Sequence, residues 1–351
     1  MVTMMQNSAR LAWPDVARGI AVILVVYGHV VRKDIATSGQ DVGALGFLEA
    51  TVTLFEPIRM PLFFLISGLF AVSALNGPWS RVLIRKTAFF YYLYVIWLVI
   101  HTIVLLSTDS SITAVARTPV QLLAQLTVSP SALWYLWALA FYFILAKLCW
   151  SARWTMIVAG FGLHILAAEH WLVDFGNLEP GMRNFLWFAL GATLAGPIRQ
   201  AHVAFKWWWV PLSAAAYALA CCLMVLGGEA WITVTFLTAS TIGAWAGVVG
   251  AIAMTMTMKR LTKELAWVGG MTLQVYTLHV PLLALWIWFS AEWVTPLLVN
   301  PLVSVGYALA LTAGIVGVCL AVPLRRYAPL LLTPPWMRQR SSTATANDRI
   351  T

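Results

Sequence analysis

Charged residues are scarce in this sequence of 351 residues: Asp, Glu, Lys and Arg together make up 10% of it, whereas 61% is hydrophobic. A soluble globular domain carries roughly 25% charged residues, so this shortage excludes a soluble enzyme or binding module. Acidic residues are the scarcer sign, and the chain has a formal net charge of +9. No basic stretch alternates with aromatic residues, however, and we expect no nucleic-acid partner. The composition is that of an integral membrane protein.

Cysteine is rare as well, and its four occurrences all lie within apolar runs: Cys149, Cys221, Cys222 and Cys319. Their spacing fits neither a zinc site nor a disulfide framework, so we predict that they pack as small apolar side chains. Histidine and acidic residues do not recur at metal-ligand spacing, and no glycine-rich phosphate loop is present. The sequence therefore predicts neither a metal site nor a tightly bound cofactor.

Apolar runs of helical length dominate what remains. A membrane-spanning helix needs about 20 mostly apolar residues. Ten runs qualify: 13–31, 45–75, 84–107, 132–149, 154–170, 182–197, 207–228, 232–258, 265–290 and 298–323. The sequence therefore predicts an all-α, polytopic membrane bundle of about ten transmembrane helices. Residues 1–334 form its one domain, and the polar stretch 335–351 is predicted to be a disordered tail.

Lys and Arg fall mainly in alternate loops, and the opposite loops hold only Arg32, Lys33, Arg117 and Arg183. Because cytoplasmic loops carry the excess of positive residues, this asymmetry predicts that both termini are cytoplasmic.

The first predicted helix carries three ionisable residues, Asp15, Arg18 and His29. Arg18 and His29 are eleven positions apart, which places both side chains on one helix face roughly 16 Å apart along the axis. A charge inside a span costs about 2.5–3.5 kcal/mol even on a lenient scale. We predict that this helix is the wall of a site and that Arg18 and His29 line one continuous polar passage. Gly28 leaves room for a ligand or a neighbouring backbone.

The second span contains Glu56, Pro57, Arg59 and Pro61, and it is too long for one straight crossing. Two prolines predict an interrupted helix, which is tolerated at membrane depth where it lines a cavity. Glu56 and Arg59 can neutralise each other at i,i+3. The alternatives are a kinked structural helix with an ion pair or a substrate site, in which Ser67 would meet a ligand hydroxyl.

Further candidates for the site are Tyr276 and His279, which share a helix face at i,i+3. Trp134 opens another span, where it is either an interfacial anchor or a stacking platform for a sugar ring. His101 and His164 are single polar residues inside spans, and we interpret them as interhelical hydrogen-bonding groups.

Four segments are similar to patterns of a known family. Asp15, the run Arg18-Gly-Ile-Ala, an aliphatic stretch and His29 resemble the opening helix of membrane acyltransferase family 3. MPLFFLISG (60–68), WYLWAL (134–139) and YTLHVPLL (276–283) are similar to other patterns of that family. No acid follows Trp134, which makes the chain resemble the branch of sugar O-acetylases and periplasmic-glucan modifying enzymes. Many relatives in that branch have His where this chain has Arg59.

The resemblance implies an O-acyltransferase of the bacterial plasma (inner) membrane. Its donor would be cytoplasmic acyl-CoA, with acetyl as the expected group, and its acceptor a hydroxyl of a surface, exported or lipid-linked carbohydrate. A guanidinium suits the phosphates of the donor, which predicts a role for Arg18, oriented by Asp15. His29 would either abstract the hydroxyl proton or carry the acyl group transiently. The residues expected to attract and hold acyl-CoA are Arg18, Arg81, Arg85, Lys86, Lys259 and Arg260.

Two other functions are compatible with the residues alone. The charged stripe could form the path of a transporter or flippase for a lipid-linked sugar, or the chain could be a non-catalytic scaffold of a polysaccharide export complex. The expected partners are acyl-CoA, a carbohydrate or glycolipid acceptor and membrane lipids. The sequence leaves the acyl group, the acceptor and the oligomeric state open.

Overall fold

The computed structural model describes residues 11–36, 44–110, 112–169, 176–228 and 231–337. Throughout these ranges the regular structure is helical and no β-strand occurs, which confirms the all-α prediction. The long helices are α1 (Trp13–Val30), α2 (Leu45–Leu75), α4 (Ala88–Ser107), α6 (Trp134–Leu148), α7 (Arg153–Ala168), α8 (Leu178–Thr193), α10 (Trp209–Leu226), α11 (Ile232–Thr257), α13 (Thr272–Val294) and α14 (Pro301–Ala321). The shorter ones are α3 (Trp79–Val82), α5 (Pro119–Gln125), α9 (Ala195–Gln200), α12 (Lys259–Gly270) and α15 (Leu324–Tyr327).

Eight helical segments within the described ranges are long and apolar enough to cross a membrane, against ten predicted spans. The two that fall short are α6 and α8, with 15 and 16 residues. At 1.5 Å per residue they reach only about 22–24 Å, less than the ~30 Å hydrocarbon core. α8 also begins with the charged residues Glu179 and Arg183. The chain is a multi-pass integral membrane protein, and the cytoplasmic position of its termini stays a prediction.

The prediction that the second span is interrupted is wrong, because α2 is one continuous helix of 31 residues. Each of the two prolines, Pro57 and Pro61, removes one backbone N–H donor, so the helix loses only two hydrogen bonds of its long series. α2 also packs closely against α8. The two backbones approach so tightly at Gly68 that a Cβ there would overlap the Phe188 carbonyl oxygen. At 1.5 Å per residue α2 is about 46 Å long and extends beyond the hydrocarbon core.

The predicted span 265–290 is also wrong at its start, because the helix is interrupted there: α12 ends at Gly270, and α13 begins at Thr272 after Met271. α12 carries polar residues along one side and packs its other side against α1. Two glycines allow this contact, as a Cβ on Gly19 would overlap the Leu265 carbonyl and one on Gly269 the Asp15 carbonyl. The C-terminal half of α12 thereby lies against the first turns of α1.

α1 lies at the centre of the bundle and contacts α2, α11, α12, α13 and α14. Twelve of its 18 residues are buried. It runs antiparallel to α2, since Arg18 lies over Phe70 near one end while Arg32 pairs with Glu56 near the other. We refer to these two halves of the bundle as the Arg18 end and the His29 end.

Part of the predicted tail is described. Pro335, Trp336 and Met337 form a helical turn, and the Trp336 ring packs edge-on against Tyr92 with centroids 5.3 Å apart. Residues 338–351 of that tail lie outside the described residues.

Two histidines make the structural contacts that the sequence predicted for them. His101 Nε2 bonds the Thr277 carbonyl at 2.8 Å, and His164 Nδ1 bonds the Arg183 carbonyl at 2.7 Å.

Candidate functional site

Arg18 is held from two sides at its end of α1. Its guanidinium donates to the carboxylate of Asp15, one turn earlier on the same helix. The guanidinium carbon lies 4.9 Å from the centroid of Phe70, close enough for cation–π attraction. Asp15, which we predicted to orient Arg18, therefore contacts it directly, and the ring of α2 closes the other side.

A cavity of about 180 Å³ opens beside this guanidinium. Arg18 and Lys86 are the two cations in its lining, and the Lys86 ammonium lies 5.5 Å from the centroid of Phe143. Most of the remaining wall is aromatic: Phe63, Phe70, Phe90, Tyr135, Phe143 and Tyr276. A small, mainly aromatic cavity with two cations in its lining suits a ligand that has an anionic head and a slender chain.

The far wall of this cavity is a set of hydrogen-bonded hydroxyls. Ser67 Oγ donates to the Phe63 carbonyl at 2.8 Å and lies 2.8 Å from Tyr135 Oη. Tyr276 Oη donates to the Ala132 carbonyl at 2.9 Å and accepts from the Tyr135 backbone amide at 3.3 Å. These bonds fix the two tyrosine rings across the path from Arg18 towards His29.

His29 lies between a guanidinium and a second imidazole. Arg59 packs over the neighbouring Gly28, where an added Cβ would overlap its Nη1 atom and lie 3.4 Å from its Cζ atom. The ring centroid of His279 is 5.1 Å from that of His29, with the two planes at 56°. The space at Gly28 that we predicted for a ligand or backbone is therefore used by Arg59, which brings a positive charge beside His29.

His29 is not among the residues that line the Arg18 cavity, so that cavity by itself does not form the predicted continuous passage. The cavity at Arg18 ends on Tyr276, whose ring centroid is 5.8 Å from that of His279. Tyr276 and His279 therefore connect the cavity wall to the His29 ring, each ring packed against the next. Both groups are polar, so polar side chains continue from the Arg18 cavity to His29.

A charge cluster, Glu56 with Arg32 and Arg59, lies at the His29 end. The predicted pair of Arg59 and Glu56 is present, with Nη2 and Oε1 3.4 Å apart. Arg32 is the closer partner, since its two terminal nitrogens meet the two Glu56 oxygens at 3.2 and 2.6 Å. Sequence reasoning assigned Arg32 to a loop. α1 instead continues as a π-helical turn (Val31–Ile35), which places Arg32 one turn beyond His29.

The sequence model of a family described as an acyltransferase domain matches residues 11–322. The chain belongs to acyltransferase family 3. This match spans the chain from α1 to the end of α14 and confirms the resemblance, so the protein is a membrane acyltransferase. No curated protein and no solved structure gives a significant match to the chain. The branch of sugar O-acetylases stays a prediction.

A second, larger cavity of the acyltransferase, about 650 Å³, lies beside α3. Arg81 and Arg85 line it together with Trp336 and Met337. Arg81 Nη1 also donates to the Ser73 carbonyl at 3.2 Å, which ties it to the end of α2. Lys86, the next residue after Arg85, lines the Arg18 cavity. Three of the predicted basic residues therefore lead from the surface towards Arg18.

Three predicted residues lie elsewhere in the acyltransferase. Lys259 and Arg260 begin α12 at exposed positions and line neither of the two cavities. Trp134 is half-buried and packs against Phe64, with centroids 5.7 Å apart. Its neighbour Tyr135 lines the Arg18 cavity instead, because successive residues of a helix point about 100° apart.

Proposed function

We propose that the acyltransferase moves an acyl group, with acetyl as the expected one, from cytoplasmic acyl-CoA to a hydroxyl of a surface, exported or lipid-linked carbohydrate at the bacterial inner membrane. The observation that carries this proposal is the order of groups along α1. A cation-lined cavity opens at Arg18, and an imidazole flanked by a guanidinium lies about three turns further on. That order suits a phosphate-bearing donor at one end and an alcohol at the other.

The donor enters at the Arg18 end in this proposal. The larger cavity offers two guanidinium groups and an indole face, which suit the phosphates and the adenine of CoA. The smaller cavity, with Arg18 and Lys86, takes the narrow pantetheine arm. A movement of Tyr276 would then admit the thioester to His29, since this side chain lines the cavity and packs against His279.

At His29 two routes remain open, as they did from the sequence. In the direct route His29 takes the proton of the acceptor hydroxyl, the oxygen attacks the acyl carbon, the C–S bond breaks, and the proton ends on the CoA thiolate. In the covalent route the acyl group passes first to a nitrogen of His29 and then to the hydroxyl. Both routes develop negative charge on the acyl oxygen, and Arg59 is the nearby cation that would stabilise it.

The acceptor binds at the His29 end in this proposal. The charge cluster of Arg32, Glu56 and Arg59 offers both donors and acceptors of hydrogen bonds. A sugar carries several hydroxyls, each of which can donate and accept, so such a mixed cluster suits it better than a patch of one sign.

The test is acyl transfer by the purified protein in lipid nanodiscs. Release of free thiol from acetyl-CoA is measured with and without sugar acceptors, in the wild type and in His29→Ala. We expect acceptor-dependent release that falls at least about 100-fold in the variant, as for removal of a general base. The matched control is His202→Ala, which changes a histidine bonded only to the nearby Arg199 carbonyl. A folded His29→Ala protein with full transfer activity would refute the assignment.

The acceptor is identified by mass spectrometry of surface and periplasmic glycans from cells with and without the gene. A fixed mass difference per sugar names the acyl group and the acceptor together. Movement of a glycan across the membrane in the absence of any acyl donor would instead support the transporter alternative.

A further inference from the structure

His279 is the buried histidine next to His29, and its hydrogen bonds determine its tautomer. The Nδ1 atom lies 2.8 Å from the Tyr276 carbonyl and 3.1 Å from the Val275 carbonyl. Carbonyl oxygens only accept, so Nδ1 carries the hydrogen, and in the neutral ring Nε2 carries the lone pair. His279 is 1% exposed, and its Nε2 atom has no hydrogen-bond partner among the described residues. A buried acceptor without a donor is uncommon in folded proteins.

The ring that can supply a donor is that of His29. When two imidazoles share one N–H···N bond of about 3 Å end to end, their centroids lie about 5 Å apart. The centroid distance of 5.1 Å brings the two rings within reach of such a bond; the structure does not contain the bond itself, which a rotation of the His29 ring would form. His164 is a second buried histidine of this kind. Its Nε2 is likewise buried without a partner among the described residues, but its ring lies against Trp187 at 5.3 Å.

We infer that His279 is a positioning residue for His29: its Nε2 lone pair accepts a ring N–H from His29 and so fixes which nitrogen of His29 faces the acceptor hydroxyl. The pair would work as an imidazole–imidazole dyad in the place where other enzymes use a carboxylate and a histidine. This inference rests on the proposed role of His29 as the group that handles the hydroxyl proton.

The dyad is compatible with both chemical routes. One nitrogen of His29 holds its hydrogen towards His279 throughout, and the other keeps a free lone pair. In the direct route that lone pair takes the hydroxyl proton and later returns it to the thiolate of CoA. In the covalent route the same lone pair attacks the acyl carbon and the C–S bond breaks, which releases the CoA thiolate. The acceptor oxygen then attacks the acyl carbon, the C–N bond breaks, and the hydroxyl proton passes to the thiolate. Without the acceptor on His279, the two tautomers of His29 become closer in energy, and part of the protein presents N–H to the hydroxyl instead of a lone pair.

The test uses two variants in the nanodisc-bound protein. His279→Phe keeps a flat ring and removes the acceptor, whereas His279→Gln keeps an acceptor in its amide oxygen. We expect kcat to fall about 100- to 10,000-fold in His279→Phe, as when the orienting group of a triad is changed, with KM for both substrates within about threefold. His279→Gln should recover at least tenfold of that loss. The control is His164→Phe, which makes the same exchange at a buried histidine beside Trp187 and should keep the wild-type kcat.

Two further measurements separate positioning from packing. If His279 acts through His29, the double variant His29→Ala with His279→Phe is no slower than His29→Ala alone. Nitrogen-15 NMR of histidine-labelled protein reports the tautomer of His29, whose signals are identified by their absence in His29→Ala. We expect one tautomer in the wild type and a mixture of both in His279→Phe. This second measurement requires no substrate, and His279→Leu, which also lacks an acceptor, provides it if His279→Phe does not fold.

The outcomes distinguish this inference from the proposed function. A wild type that transfers no acyl group refutes the proposed function, and the NMR result then decides whether the pair exists. A wild type that needs His29 while folded His279→Phe stays fully active overturns the inference alone. An unchanged His29 tautomer in a folded variant that lacks the acceptor, His279→Phe or His279→Leu, overturns it as well.

Discussion

Gly28→Ala tests how closely Arg59 must approach His29. The added methyl would overlap Nη1 of Arg59, and the next nearest atoms are Cζ of Arg59 at 3.4 Å and a Val52 methyl at 3.7 Å. The overlapping atom is the free end of a long side chain, so the guanidinium can swing away by about 1 Å or more without moving any backbone. Because alanine is favoured over glycine in a helix by about 0.5–1 kcal/mol, we expect no loss of stability.

The loss should appear in the rate. A displacement of about 1 Å of a group beside the reacting atoms can cost ~100-fold, which corresponds to about 2.7 kcal/mol of barrier. Glu56 stays paired after the displacement, because Arg32 already binds both of its oxygens. The expected result is therefore a folded protein with unchanged melting temperature and a kcat lowered about 10- to 100-fold.

The assay is acceptor-dependent thiol release from acetyl-CoA, with thermal unfolding measured on the same samples. Gly250→Ala is the matched control, since a Cβ at that helical position meets nothing within 4 Å. In a background of Arg59→Ala the Gly28→Ala change should have no further effect, as only the guanidinium is in its way. A wild-type rate in folded Gly28→Ala, or a further loss in the Arg59→Ala background, would refute the reasoning.

Three other predictions follow from the two cavities. Arg18→Lys keeps the charge but loses the planar fork, so KM for acyl-CoA should rise about tenfold while kcat changes little; initial rates at varied donor concentration measure this, and an unchanged KM contradicts it. Ser67→Ala removes the 2.8 Å hydrogen bond with Tyr135, so the free energy of unfolding should fall by about 1 kcal/mol and acyl transfer should slow. The control, Ser107→Ala at an exposed position, should change neither quantity. Trp336→Ala should raise KM for acetyl-CoA but not for acetyl-pantetheine, which lacks the nucleotide, and an equal rise for both donors would exclude a role of the indole in binding adenine.

Hydropathy was sufficient to locate most helices of the acyltransferase. The predicted run 45–75 coincides with α2, and 232–258 differs from α11 by one residue. The prediction failed at α12, a charged helix that lies between two apolar ones in the sequence. α12 follows the apolar α11 after a single residue and carries four charges, and its break from α13 depends on the backbone at Met271 rather than on any change of hydropathy. A sliding apolar window cannot detect such a break.

The candidate site was only partly accessible to sequence reasoning. The pairing of Asp15 with Arg18 and of Glu56 with Arg59 follows from helical spacing alone. Arg32 was missed because a cation beyond an apolar run resembles a loop residue, although its position one turn after His29 was a usable signal. The approach of His279 to His29 depends on how α13 packs against α1, and no spacing within either helix contains that information.

Transfer across a sealed membrane tests the central claim most directly. The protein is inserted into liposomes that contain a soluble sugar acceptor, and acetyl-CoA is supplied only on the outside. Vesicles in which the Arg18 end of the protein faces outwards are selected by the accessibility of a tag at the C-terminus. The account predicts acylated sugar inside the vesicles in the wild type and almost none with His29→Ala. Product that forms only when donor and acceptor share one side, or that forms undiminished in the variant, would contradict it.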